Sequence, residues 1–244
     1  MVEVNKGVKS GAPRPLHKIF TEVPGQYDLI NRLFTLRLDE RWRKKAVKEI
    51  LADKPEKIMD LCTGTGDLAM RLSRTSFNGV DITGYDYSQP MLEIAQQKID
   101  RAGLKHISLL QGDAADMPFD DGQFDAIGIA FAFRNLTYKN PDTPKFLTEI
   151  NRVLKKGGRF VIVESSRPHS RIMKFMSRIY TKNIVYRLGS LISGNRAAYR
   201  YLAYSVINYY KPDEIVELLK QYGFSRVTYK SLFGGVAAIH IAIK

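Results

Sequence analysis

The chain of 244 residues carries 38 Lys and Arg side chains against 25 Asp and Glu, a formal net charge of +13. Apolar residues make up 44% of the chain and charged residues 26%, a composition that excludes disordered and fibrous proteins. Its single cysteine excludes an internal disulfide, and its longest apolar run (126–133) is far too short for a membrane-spanning helix, so we expect a cytoplasmic protein.

Strands and helices alternate along most of the chain. Residues 1–16 predict a flexible basic tail, and residues 17–51 predict helices with breaks. The predicted strands lie at 57–62, 81–86, 106–111, 124–133, 159–164, 225–232 and 236–243. Helices are predicted to begin near residue 68 and to span 88–101, 143–154 and 212–222. This βα alternation predicts a single domain, 17–244, with a parallel, doubly wound sheet.

A basic insertion at about 165–212 follows the fifth strand. This segment has no Asp or Glu and nine Lys or Arg side chains. Apolar side chains at Ile172, Phe175, Met176 and Ile179 have the spacing of an amphipathic helix. Such a helix could bind an anionic membrane surface or a nucleic acid. The alternative is a helix that packs on the domain and leaves its charges solvated.

A glycine loop, DLCTGTGD at 60–67, lies between the first strand and its helix. Gly64 and Gly66 permit a tight turn that brings the backbone close to a ligand at the helix N-terminus. A dinucleotide-binding loop is the competing interpretation, but Ala69 stands where its third glycine would be. Carboxylates at both ends of the loop favour a cationic ligand over a pyrophosphate.

Carboxylates also follow three successive strands. Asp60 ends the first, Asp86 the second, and Asp113 follows the third. Parallel sheets bind ligands at this edge, and a carboxylate 20 residues after Gly66 can hold both hydroxyls of a ribose. Asp113 is placed to accept a hydrogen bond from an adenine amino group. Each acid alone could be a turn or cap residue, but the ordered set predicts a cationic, nucleoside-bearing cofactor such as S-adenosylmethionine.

The sequence resembles class I S-adenosylmethionine-dependent methyltransferases in MDLCTGTGD (59–67), GDAADMPF (112–119) and LKKGGR (154–159). It is more narrowly similar to the menaquinone/ubiquinone biosynthesis C-methyltransferases in FRNLT (133–137), YRYLA (199–203) and GVAAIH (235–240). The resemblance runs from about residue 17 to the end. It implies a Rossmann-like, mostly parallel seven-stranded sheet with an antiparallel last strand, N-terminal helices and a helical insertion after the fifth strand.

The resemblance also implies S-adenosyl-L-methionine as the cofactor. Its binding residues carry over as Thr65 in the glycine loop, Asp86 at the ribose, and Asp113 with Ala114 at the adenine. Tyr27 is expected in an N-terminal lid over the cofactor, with packing in the core as its alternative. We expect Cys62 to be a buried spectator.

The implied reaction is methylation of a ring carbon of a prenylated hydroquinone. Demethylmenaquinol is the first choice of substrate, and a ubiquinone precursor is the alternative. Arg134 and Asn135 are expected to position the substrate, with a structural salt bridge as the alternative for Arg134. Arg134 would stabilise a developing phenolate rather than act as a base, because its pKa stays above about 12. His169 is a candidate base or a surface residue, and the histidine spacing predicts no metal site.

The polyprenyl tail of such a substrate gives the basic insertion a partner, the anionic inner face of the membrane. An RNA methyltransferase and a non-catalytic S-adenosylmethionine-binding membrane adaptor remain alternatives. We expect no nucleic-acid partner, because no RNA-binding module is recognisable. A homo-oligomer is compatible with the sequence.

Overall fold

The computed structural model describes residues 3–4, 35–77, 79–193 and 196–244. Tyr27, most of the predicted tail and the predicted helical stretch before residue 35 lie outside these ranges.

A central sheet has the strand order β1-β4-β3-β2-β5-β6-β8-β7. Its strands are β1 (Glu3–Val4), β2 (Lys57–Leu61), β3 (Asp81–Asp86), β4 (Ile107–Gln111), β5 (Phe124–Ala130), β6 (Leu154–Ser165), β7 (Arg226–Leu232) and β8 (Ala237–Ile243). Among the strands that the structure describes, only β8 runs antiparallel to its neighbours, β6 and β7. The predicted doubly wound sheet with an antiparallel last strand is confirmed. Two residues of the predicted tail add the edge strand β1 beside β4.

Helices cover both faces of this sheet. They are α1 (Leu38–Ile50), α2 (Asp67–Thr75), α3 (Gln89–Arg101), α4 (Phe133–Thr137), α5 (Thr143–Val153), α6 (Arg171–Tyr180), α7 (Tyr186–Ser193), α8 (Arg196–Asn208) and α9 (Pro212–Gln221). A π-helical turn, Thr181–Val185, joins α6 to α7. The insertion after the fifth predicted strand is therefore helical, as expected.

The core lies on the two faces of the sheet because its central strands are apolar on both sides. On one face, Ile58 and Val161 pack with α1 and α2. On the other face, Ile127 and Phe160 pack with α5 and α9. Helix α1 approaches β5 so closely that a Cβ on Gly128 would lie 2.6 Å from the side chain of Ile50. Because β2 pairs in parallel with both β3 and β5, the residues after these three strands meet at one edge of the sheet.

The predicted strand at 124–133 is shorter in the structure, where β5 ends at Ala130. Phe131 has a φ of 60°, in the left-handed region that few residues other than glycine adopt. The chain turns there, and Phe133 begins α4 as a fully buried side chain packed edge-on against Phe160. The apolar pattern continued across this turn because both the strand and the start of the helix are buried, and periodicity cannot separate the two.

Candidate active site

Three carboxylates surround the glycine loop at the carboxyl edge of the sheet. Their common neighbour is the half-buried Cys62, which directly follows β2. Burial, and then the charges of Asp86, Asp60 and Asp113, raise the pKa of its thiol well above the usual value. The protonated thiol is a poor nucleophile, in keeping with the spectator role expected for Cys62. The acids that the sequence placed at three strand ends are thus brought together.

Asp60 fixes the loop and the first turn of α2. Its Oδ2 accepts hydrogen bonds from the Thr63 hydroxyl (2.6 Å) and the backbone N–H of Ala69 (2.9 Å). Only 1% of Asp60 is exposed, and this burial raises its pKa to about 7, although both hydrogen bonds and the charge of Arg43 act in the opposite direction. Asp60 thus supports the loop from beneath, and a direct contact with a cofactor stays a prediction.

Asp86 is held at the end of β3 by backbone N–H groups. Gly64 donates to one carboxylate oxygen (2.8 Å) and Ser88 to the other (2.9 Å). Burial raises the pKa of Asp86, and these backbone donors oppose the increase. Each carboxylate oxygen can accept more than one hydrogen bond, so the oriented carboxylate can still receive a pair of ribose hydroxyls.

The glycine loop adopts the left-handed backbone that its two glycines allow. Gly64 has a φ of 56° and Gly66 a φ of 81°, and a Cβ on Gly66 would lie 3.1 Å from Ala95 on α3. The Thr65 hydroxyl accepts a hydrogen bond from the Lys98 ammonium group (3.1 Å), which also pairs with Asp67. The side chain of Thr65 is therefore engaged by α3, and its backbone remains the candidate contact with a cofactor.

Asp113 lies on a turn that packs directly on Tyr85. Its Oδ1 accepts a hydrogen bond from the backbone N–H of Ala115 (2.9 Å), and its main-chain oxygen accepts one from the Tyr85 hydroxyl (3.2 Å). A Cβ on Gly112 would stand 1.9 Å from that hydroxyl oxygen. The buried Ala114 follows in the same turn. Gly112 and Tyr85 shape the predicted adenine site, a role that the sequence pattern did not assign to either.

These observations fit S-adenosylmethionine. One oriented carboxylate ends β3, a second follows β4, and the left-handed glycines keep side chains out of the loop between them. A doubly wound sheet with this edge has the binding arrangement of a class I S-adenosylmethionine-dependent methyltransferase.

A cavity of about 500 Å³ lies beside this edge. Its walls come from α1, the ends of β5 and β6, and the helical insertion. Apolar side chains dominate the walls, among them Trp42, Phe131, Met173, Met176, Val185, Leu202, Val206 and Phe233. The polar side chains of the lining include the buried Asp39, Arg43 and Arg134, together with Ser165, and we refer to this group as the polar end of the cavity. An elongated apolar molecule with a polar head would match this lining.

Arg134 reaches the cavity from α4 as one half of a buried ion pair. The exposed fraction is 7% for Arg134 and 1% for Glu164. Nη1 of Arg134 lies 3.1 Å from Glu164 and donates to the Ser165 hydroxyl (2.9 Å), while the Arg134 backbone N–H donates to the second Glu164 oxygen (3.0 Å). Among the described residues, the buried Nε of Arg134 has no hydrogen-bond partner. The salt bridge predicted as the alternative is present.

The other polar residues considered from the sequence lie away from the cavity lining. Asn135 is adjacent to Arg134 but does not line the cavity, and its buried Oδ1 has no partner among the described residues. His169 is half exposed and pairs with Asp213 at 3.2 Å, as a surface residue would. His240 is buried, and one ring nitrogen lies 3.1 Å from the main-chain oxygen of Pro212.

Comparison with known proteins agrees with this class. The ubiE/COQ5 methyltransferase family matches residues 6–244. Demethylmenaquinone methyltransferase from Thermus thermophilus is 43% identical over 223 residues, covering 91% of this chain and 98% of its own. The enzyme of that name from Thermotoga maritima is 43% identical over 227 residues, covering 92% and 93%. A crystal structure of an S-adenosylmethionine-dependent methyltransferase from Aquifex aeolicus aligns with a TM-score of 0.55 at 21% identity, covering 77% of this chain and 81% of its own.

The chain belongs to the ubiE/COQ5 methyltransferase family. It is a methyltransferase, and its cofactor is S-adenosyl-L-methionine.

Proposed function

We propose that the protein methylates a ring carbon of demethylmenaquinol, a prenylated hydroquinone. The cofactor edge is the carboxyl edge of the sheet, with the glycine loop, Asp86 and Asp113. The cavity beside it carries this proposal, because the cavity is mainly apolar and has a guanidinium group, Arg134, at its polar end. The family and the names of the relatives at 43% identity favour this substrate over a ubiquinone precursor, over RNA and over a non-catalytic adaptor.

The cofactor edge would hold S-adenosylmethionine through a few groups. Asp86 is assigned to the ribose hydroxyls, Asp113 and Ala114 to the adenine, and the backbone around Thr65 to the remainder. When bound, the cofactor supplies an activated methyl group on a sulfonium sulfur. The residues of this chain must then bring a ring carbon into line with that methyl group, and alignment of this kind lowers a barrier by removing orientational entropy in advance.

Arg134 is assigned to the hydroxyl next to the accepting carbon. Glu164 and Ser165 fix its guanidinium, and the side chain of Arg134 lines the cavity. A hydrogen bond from this cation favours the phenolate over the phenol, and the phenolate directs electron density to the neighbouring ring carbon. Loss of one such donor in other enzymes costs about 3–4 kcal/mol of transition-state stabilisation. Asn135 is proposed to support the α4 turn beside this group, since its side chain lies outside the cavity lining.

The test uses labelled cofactor with demethylmenaquinol in one reaction and bulk RNA in another. Label in the quinol supports the proposal, label in RNA replaces it, and label in neither favours the adaptor. Asp86→Ala should weaken cofactor binding measured by calorimetry. Arg134→Lys should bind the cofactor normally and lower the turnover about 100-fold or more. Arg41→Lys, an exposed arginine of α1, is the matched control. Normal turnover by the Arg134 variant would refute the assigned role.

Substrate access is the second part of the proposal, and it concerns α6. Ile172, Phe175 and Ile179 are exposed on this helix, by 71%, 65% and 45%, and none of them lines the cavity. The alternative considered from the sequence is a helix that packs on the domain and leaves its charges solvated. It does not account for an apolar face that is exposed. Met173 and other residues of the same helix line the cavity. One helix therefore has an apolar outer face and an inner face that borders the proposed substrate site.

We assign the outer face of α6 to the surface of an anionic membrane. The surrounding insertion has nine cationic and no acidic side chains, which suits anionic headgroups. Within the ranges that the structure describes, no helix has the length and apolarity needed to cross a bilayer. A polyprenyl tail could then pass from the membrane along α6 into the cavity while the ring reaches the polar end.

Vesicle co-sedimentation tests this surface. Each basic side chain near an anionic surface contributes about 1 kcal/mol, so Arg171→Gln with Lys182→Gln, two exposed residues outside the cavity lining, should weaken binding roughly 30-fold. Phe175→Ser should weaken it further. Lys57→Gln with Lys156→Gln, two exposed lysines at the opposite edge of the sheet, is the charge-matched control. Binding that ignores both the salt concentration and the anionic lipid content would contradict the assignment.

A further inference from the structure

A second buried ion pair lies at the polar end of the cavity. Asp39 and Arg43 are one helical turn apart on α1, with Nη1 of Arg43 2.5 Å from Oδ2 of Asp39. The Thr35 hydroxyl donates to the other Asp39 oxygen at 2.6 Å. Only 2% of Asp39 and 9% of Arg43 are exposed. Apolar side chains of similar volume often replace a buried ion pair without loss of stability. Stability alone therefore does not explain why this pair is present, and a role in binding is an alternative explanation.

The position of Arg43 supplies one. Its guanidinium carbon lies 5.1 Å from the centre of the Phe131 ring, and both residues line the cavity. Its charge also lowers the pKa of Asp60 beneath the glycine loop. Arg43 therefore stands where the substrate cavity meets the cofactor edge, which is where a ring carbon must lie to receive a methyl group.

Two guanidinium groups thus reach the same cavity from different elements. Arg134 comes from α4 and is held by Glu164, and Arg43 comes from α1 and is held by Asp39. A hydroquinone ring carries two oxygens, one opposite the other. An oxygen left without a hydrogen-bond partner in a mainly apolar cavity is unfavourable, so a site for this ring needs a hydrogen-bonding group at each oxygen, and a guanidinium at either one would stabilise its ionised form.

We propose that Arg43 binds the second oxygen of the hydroquinone, the one opposite the oxygen assigned to Arg134, and that Asp39 orients its guanidinium. The proposal rests on the proposed function, because it presumes a hydroquinone in this cavity. Asp39 accepts a hydrogen bond from Nη1 of Arg43, and the planar guanidinium has five N–H groups in all. A lysine in this position would keep the charge but not this planar geometry. Arg43 is thus a specificity residue that selects a diol over a simple phenol.

The experiment changes the ligand and the protein together. The two substrates are a short-chain prenylated 1,4-naphthoquinol and its analogue that lacks only the hydroxyl opposite the one next to the accepting carbon. For the wild type, kcat/KM should favour the diol by roughly 10–100-fold, the factor that corresponds to a hydrogen bond with a charged group. Asp39→Asn with Arg43→Gln, which removes both charges together, should lose most of that preference. Arg41→Gln on the exposed side of α1 should keep it.

The outcomes separate this proposal from the proposed function. If the wild type methylates neither naphthol, the proposed function fails. If the wild type methylates the diol and the double variant keeps the full preference for it, only the role of Arg43 is overturned. Cofactor binding by calorimetry checks that the double variant is folded. Should it not fold, Arg43→Lys decides the matter: a reduced preference for the diol supports the proposal, and an unchanged preference refutes it.

Discussion

Replacing Asp60 with asparagine should stabilise the protein at neutral and alkaline pH. Asp60 is buried under the glycine loop, where Thr63 and Ala69 donate hydrogen bonds to one of its oxygens. An asparagine side chain has a carbonyl oxygen that can accept both. Asp60→Asn therefore keeps the contacts that fix the loop and removes the charge whose burial is unfavourable.

The magnitude follows from the pKa of Asp60, which burial raises from 3.8 to about 7. A difference of roughly three pKa units between the folded and unfolded states corresponds to about 4 kcal/mol. Because the folded state holds the proton more tightly, the free energy of unfolding falls as the pH rises from about 4 to about 7, and it is constant above that window. Below pH 4 both states are protonated at this position, and Asp60 makes no such unfavourable contribution.

Urea unfolding of the ligand-free protein between pH 5 and pH 8 measures this effect. Relative to the wild type, the advantage of Asp60→Asn should grow with pH toward about 4 kcal/mol. Asp125→Asn is the contrasting control, because hydrogen bonds from Lys155 and the backbone lower the pKa of Asp125 despite the opposing effect of its burial. Its effect should therefore be constant across the same range. A constant difference for Asp60→Asn as well would refute the reasoning.

Three further predictions concern the supports of the site. Glu164→Ala should lower the free energy of unfolding by about 3–5 kcal/mol, since it leaves Arg134 buried without its carboxylate, and Arg134→Met in the same chain should restore part of this loss in urea titrations. Gly112→Ala should destabilise the fold by about 1–3 kcal/mol and weaken cofactor binding in calorimetry, because the new Cβ would overlap Tyr85. Lys244→Ala should lower the free energy of unfolding in urea by about 1–2 kcal/mol, because the Lys244 ammonium group donates to main-chain oxygens at the end of α5.

The cofactor edge was predictable because its signals are local. A left-handed turn needs glycine, and Gly64 and Gly66 both have positive φ angles. Successive strands of a parallel sheet end at the same edge, so Asp60, Asp86 and Asp113 had to approach one another once the strands were recognised. Nothing local, however, indicated that Asp60 faces the loop from below while Asp86 is the oriented carboxylate. That distinction depends on which backbone N–H groups lie nearby.

The cavity was not predictable in the same way, because its lining is drawn from distant parts of the chain. Arg43 on α1, Arg134 on α4 and Val206 in the insertion meet there only through the tertiary fold. The i, i+4 spacing of Asp39 and Arg43 is a recognisable signal for an ion pair on a helix. In most helices such a pair is solvated, and only the burial of α1 against the sheet makes this one a candidate for binding.

The three regions of the proposed site differ in charge, and the differences follow their proposed ligands. The cofactor edge gathers Asp60, Asp86 and Asp113, which attract a cation. At the polar end of the cavity each guanidinium is matched by a buried carboxylate, so this end can donate hydrogen bonds without carrying a net charge. All the charged side chains of the insertion are basic. A neutral hydroquinone would meet charge-balanced donors at this end, whereas an anionic polymer such as RNA would be attracted to the basic side chains of the insertion. This distribution of charge therefore favours a hydroquinone that arrives from a membrane over an RNA substrate.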